Sequence, residues 1–265
     1  MGNSFSTERQ VSLLATTILL ALGTASAAPI VGTLQVGGSA EVTQTTIDYS
    51  PFIVGVALDG SGELVTVGNG TGVFSPLLFG DLGTIVDRSV EAGVVPAQPA
   101  GVNIDVMNWM TFTAPSFRYA LDLKFIDVGT YTSAQCGAVA ASGQTCTPDA
   151  PFPFTSPYNL SNFVDSSAGL SSNTTFSVRG VLRNLDTGLI DYNFNGVFGA
   201  EFLGQPYQDV LAIVNSGGSV SASYSGTINA TAATVPEPSV GFLTGIGLVC
   251  MAFGLFSKRR RSPIS

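Results

Sequence analysis

The feature that most constrains this chain is an alternation of apolar and polar residues with a period of two. In "SVSASYSGTIN", Val220, Ala222, Tyr224 and Ile228 fall on one face, while Ser219, Ser221, Ser223, Ser225 and Thr227 fall on the other. That repeat belongs to a half-buried β-strand. It recurs in "LDLKF", where Leu121, Leu123 and Phe125 alternate with Asp122 and Lys124. "FSVRGVLRN" sets Phe176, Val178 and Leu182 against Arg179 and Arg183. "IDYNFN" sets Ile190, Tyr192 and Phe194 against Asp191, Asn193 and Asn195. At Gly196 the reading is a shift of register, after which Phe198, Ala200 and Phe202 take the inner face. A glycine suits a bulge or bend at such a shift.

Turn signals separate these runs. "NLDTG" (Asn184 to Gly188), "VGNGTG" (Val67 to Gly72) and "LDGSGEL" (Leu58 to Leu64) each predict a hairpin. Many strands joined by tight turns predict an all-β chain with an antiparallel, sandwich-like exported domain. One helix interrupts it, in "QPYQDVLAIVNSGG". Pro206 suits the first turn, Tyr207, Val210, Leu211 and Val214 share a face, and Gly217 suits the stop. "CTPDAPFPFTSPYN", Cys146 to Asn159, reads as a proline-rich loop.

Charge and cysteine usage narrow the function classes. The chain has no histidine, so Ser-His-Asp and Cys-His catalysis and histidine-ligated zinc are excluded. With 10 Lys and Arg against 18 Asp and Glu, it carries a formal charge of −8. Between Ala28 and Thr234 the bases are Arg88, Arg118, Lys124, Arg179 and Arg183. Such sparse positive charge argues against a nucleic-acid partner. Cys136 and Cys146 are close in sequence and predict a local disulfide in an oxidising compartment.

The two ends read as targeting segments. "VSLLATTILLAL" after Arg9, followed by "ASA", predicts a signal peptide over residues 1–27 with cleavage after Ala27. At the other end stand Val235, Pro236, Glu237 and Pro238, then the uncharged run Val240 to Phe256, then Lys258, Arg259, Arg260 and Arg261. The apolar run predicts a short membrane-spanning helix, and the basic cluster places its end in the cytoplasm. The prolines fix φ and keep the outer flank extended.

These three parts, in this order, resemble the PEP-CTERM sorting signal of exported proteins in Gram-negative bacteria that make extracellular polysaccharide. The resemblance covers residues 235–261. It implies recognition by exosortase, a membrane-embedded cysteine protease-like enzyme that removes the tail. It also implies export through signal peptidase and the general secretion machinery, a stay in the inner membrane before processing, and a final place at the cell surface or outside it. Association with exopolysaccharide is a further implication of the resemblance.

Between the ends lies one β-rich domain, residues 28–234, with no compelling catalytic constellation. Glu201 stands among apolar residues in "VFGAEFLG", but alternation from Phe198 and Phe202 turns it outward. "DGSGE", Asp59 to Glu63, spaces oxygen ligands as a calcium loop does, yet it is short for one and a turn explains it better. Lys124 sits in an alternating strand and should be solvated, and Trp109 should be core. The reading is a non-enzymatic surface or matrix protein that needs no cofactor. A carbohydrate- or calcium-binding adhesion module is the alternative, and a secreted hydrolase using carboxylates is a more remote one.

Overall fold

The computed structural model describes residues 30–49, 58–151 and 153–233. In chain order these form β1 (Ile30–Val42), β2 (Thr46–Tyr49), β3 (Ser61–Thr66), β4 (Leu82–Val86), β5 (Arg88–Ser89), β6 (Asn103–Phe112) and β7 (Tyr119–Ile126). There follow β8 (Thr145–Cys146), β9 (Asn159–Asp165), β10 (Gly169–Asn184), β11 (Ile190–Phe202), helix α1 (Tyr207–Asn215) and β12 (Val220–Ala232). The predicted signal peptide with Ala27, the motif Val235 to Pro238, the apolar run and the cluster Lys258 to Arg261 lie outside the described residues. Among the described residues, no helix is long and apolar enough to cross a membrane.

The expectation of an antiparallel, β-dominated chain with one short helix holds, but the strands do not divide into two facing sheets. They close into a ring, β1–β3–β4–β6–β7–β10–β11–β12 and back to β1, in which every neighbouring pair is antiparallel. Closure leaves these strands without a free edge, the standing hazard of open sheets. Alternation of this kind is equally compatible with a sandwich or a barrel, because both have one dry face. Outside the ring, β9 and β8 extend from β10, and the ribbon β2–β5 extends from the end of β1.

The dry face fills the barrel. Trp109 is stacked on Phe194 at 6.1 Å between centroids and meets Phe198 edge-on at 5.6 Å. Trp109 and Met110 are consecutive and both buried. A bulge between Val106 and Met110 allows this, with Asn108 in the left-handed region at φ 53°. Asn is among the residues that tolerate that conformation.

Two parts of the alternation reading need correction. β11 holds one register through Gly196, with Tyr192, Phe194, Phe198 and Phe202 all on the inner side, so there is no shift there. Gly196 serves packing instead: a Cβ on it would lie 2.9 Å from Val178 Cγ2 and 3.3 Å from the Phe198 ring. The irregularities fall elsewhere: between Leu182↔Tyr192 and Arg183↔Ile190, which leaves Ile190 exposed, and in β7, between the pairs Arg179↔Phe125 and Gly180↔Leu123. The extra residue is Lys124, and it turns Phe125 to the outer face, where the Arg179 guanidinium lies 4.3 Å from the ring centroid.

The turn readings divide in the same way. "NLDTG" is a hairpin between β10 and β11, with the Asn184 side chain accepting from the Asp186 and Thr187 amides. "VGNGTG" is not one. It starts a long connection from β3 to β4 that includes a short 3-10 turn at Gly72–Phe74, and Asn69 Oδ1 accepts from the Phe79 amide. Helix α1 ends as predicted. Gly217 has φ 85°, its amide donates to the Val214 carbonyl, and the Gly218 amide donates to Ile213. This is the Schellman pattern, which satisfies carbonyls left free at a helix end.

Candidate functional site

At one rim the barrel core does not close completely. A cavity of about 100 Å³ lies between the end of β1 (Ala40, Val42), the end of β11 (Phe198, Phe202) and the start of β12 (Val220, Tyr224). Helix α1 roofs it with Val210 and Val214, and the proline-rich loop walls it with Pro157 and Tyr158. The ribbon closes the remaining side with Ile47 and Tyr49 of β2 and Arg88 of β5.

The roof is held from outside. Cys136 and Cys146 lie at disulfide distance, with Cα atoms 5.3 Å apart. Their loop packs with Leu160 and Tyr207, and the Tyr207 hydroxyl donates to the Gln135 carbonyl. Asn162 of β9, itself buried, accepts from the Tyr207 amide and donates to the Gln208 side chain. It thereby satisfies an amide that Pro206, at the N-cap, cannot.

The cavity is apolar apart from a few donors. Arg88 is only 2 % exposed, and its guanidinium carries one hydrogen bond, from Nη1 to the Tyr158 hydroxyl at 3.2 Å. Its Nε and Nη2 are buried without a partner. The other four bases of the described residues are engaged with carboxylates: Arg118 with Asp186, Lys124 with Asp105, Arg179 with Asp127 and Arg183 with Asp122. Arg88 is the exception, a buried cation with no counter-charge of its own. Tyr224 and Thr174 also line the cavity, and their hydroxyls are buried without partners. Burial pushes the Tyr49 and Tyr224 phenols above their usual range, so both stay protonated and able to donate. An apolar space lined by residues that carry unpaired donors suits a ligand that brings apolar atoms and acceptor oxygens together.

The residues singled out from the sequence lie elsewhere. Glu201 is exposed on the outer face of β11 and Trp109 is core, both as read, while Lys124 is half-buried and pairs with Asp105. In "DGSGE", Ser61 to Glu63 belong to β3, while Asp59 joins Asp48 and Asp87, whose carboxylate oxygens all lie within 4.8 Å of one another. The residues that matter at the rim, Arg88 above all, were not among the sequence candidates. The available signal was an arginine in a chain poor in bases, flanked by the apolar residues of "IVDRSV". In comparisons with protein-family models, with curated proteins and with solved structures, nothing matches this chain.

Proposed function

We propose that this is a non-enzymatic exported binding protein whose barrel rim takes the apolar part of a small carboxylate, with Arg88 as the counter-charge. The observation that carries the reading is the buried, unpaired guanidinium at an apolar cavity. A guanidinium out of water is costly unless a charged partner completes it. A planar fork of donors is also the geometry that carboxylates match. The volume is of the order of the roughly 150 Å³ cavity that accepts benzene, so a short acyl chain fits. Delivery to the envelope by a sorting signal at Pro236, Glu237 and Pro238, read by exosortase, belongs to the same proposal and rests on the sequence resemblance. So does its place at the surface or in an exopolysaccharide matrix.

The test is calorimetric titration of the full chain with straight-chain carboxylates from butanoate to decanoate, with the matching alcohols as neutral controls. Carboxylates should bind, alcohols should bind at least tenfold more weakly, and Arg88→Met should abolish the difference. Equal binding of acids and alcohols, or an unchanged Arg88→Met variant, refutes the reading.

A further inference from the structure

The ribbon that carries Arg88 has a second face. Ile47, Tyr49 and Arg88 face the cavity, so the alternation of the strands turns Asp48 and Asp87 the other way. Asp59, just ahead of β3, reaches the same place. Three carboxylates from three separate segments thus converge, their oxygens within 4.8 Å of one another.

Like charges at such a distance repel unless something neutralises them. No ion pair of the described residues involves these three, and the one base not paired with a carboxylate, Arg88, is turned toward Tyr158. Asp87 is fixed in place, accepting from the Tyr49 amide on Oδ1 and from the Gly60 amide on Oδ2, each at 3.0 Å. Asp48 is the decisive member. It is only 7 % exposed, and its Oδ1 is buried without any hydrogen-bond partner. A buried carboxylate oxygen left open beside two other carboxylates describes part of a coordination shell.

We propose that Asp48, Asp59 and Asp87 form a divalent-cation site suited to calcium. All three donors are hard oxygens, which excludes soft thiolate or imidazole chemistry and fits calcium or magnesium. Calcium is favoured because it tolerates irregular geometry and many oxygen ligands, whereas magnesium requires a near-ideal octahedron. Asp59 is exposed, so one side of the shell is open to water, as sites of modest affinity commonly are. The assignment stands on the carboxylate geometry alone and does not depend on what the cavity binds.

Calorimetric titration of the full chain, stripped with chelator and dialysed, tests it with calcium chloride and, separately, magnesium chloride. Calcium should bind with a dissociation constant below about 1 mM, and magnesium about tenfold more weakly. Asp59→Asn should weaken calcium binding about tenfold or more without altering the circular dichroism spectrum, because the residue is exposed. Asp48→Asn should do the same. Asp87→Asn is a poor probe, since Asp87 also anchors two backbone amides. Absence of calcium binding at about 5 mM, or wild-type affinity in both Asp59→Asn and Asp48→Asn, overturns the site. Equal affinity for magnesium overturns the assignment to calcium.

Discussion

The two sides of the barrel are built differently. From β7 through β10, β11 and β12 to β1, long strands pair almost without interruption; β1 and β12 are in register from Gly32↔Ala230 to Val42↔Val220. On the opposite side β1 meets β3 only at Val36↔Thr66 and Gly37↔Val65, and β4 meets β6 only from Gly83 to Ile85. The ribbon β2–β5 leans on the thin side. Buried polar atoms without partners occur on both sides. Those of Asp48, Arg88 and Gln98 belong to the ribbon and the segment bonded to it, and those of Thr174 and Tyr224 to β10 and β12 of the long wall. The long wall satisfies its buried charge internally: Arg183 grips Asp122 through Nε and Nη2 at 2.8 and 3.1 Å, and Asp122 Oδ1 also accepts from the Asn108 amide. The half-buried Arg183 is completed by the fold, and the buried Arg88 is left for something else. The paired charge thus lies within the long wall and the unpaired one on the ribbon beside the thin side.

The largest effect expected lies in the core where the thin side meets the long wall, since Trp109 of β6 packs on β11. Trp109→Ala removes the ring that packs against Phe194 and Phe198 and should cost about 4 kcal/mol in urea unfolding. A loss below about 1 kcal/mol would show that the core is not anchored there. The opposite sign is expected at the rim. Arg88→Met keeps the side-chain bulk and removes an unpaired buried cation, so the unliganded protein should gain about 1 kcal/mol. A loss of similar size would mean that Arg88 is structural and that the contrast with Arg183 is false. The smallest effect concerns acid. Burial, then the charges of Asp87, Asp59 and Glu41, push the Asp48 carboxyl up to about 6 from its ordinary 3.8. A folded-state pKa above the unfolded one means that the native state holds the proton more tightly. With chelator present, the cost of ionising Asp48 is felt above about pH 6 and is relieved as the pH falls toward 4. Thermal melts at pH 7 and pH 5 should therefore differ more favourably for the wild type than for Asp48→Asn. Identical differences would remove Asp48 from the account.

Legibility follows the same line. β7, β10, β11 and β12 could be read because each is long enough to show its period, and β10 and β11 are also joined locally at Asn184 to Gly188, whereas β1 of the same wall was not read. Helix α1 was legible from Pro206 to Gly217 for the same local reasons. What failed were parity changes. A single extra residue at Lys124 moves Phe125 outward, and no composition rule marks which residue will be the extra one. Barrel closure was not readable either, because it depends on pairing β1 with both β3 and β12, which are far apart in sequence. The rim residues were hidden by brevity. β5 has two residues, too few to show a period, so Arg88 gave no hint of facing inward. Asp48 in "TIDY" looks like an ordinary outward strand position. Only the pairing of β2 with β1 and β5, plus the turn at Gly60, brings it to Asp59 and Asp87. The cysteine pair was legible because its ten-residue separation is itself local.

The pairing of β1 with β12 also gives the molecule a direction. Ile30 stands opposite Thr231 at one rim, while Val42 stands opposite Val220 at the other. The described chain therefore enters and leaves side by side, and the cavity and the carboxylate cluster sit at the far end, a strand length of roughly 40 Å away. A tether joined at either end of the described chain would hold the barrel at the rim opposite the roofed cavity and the carboxylate cluster, so both would be carried away from the point of attachment.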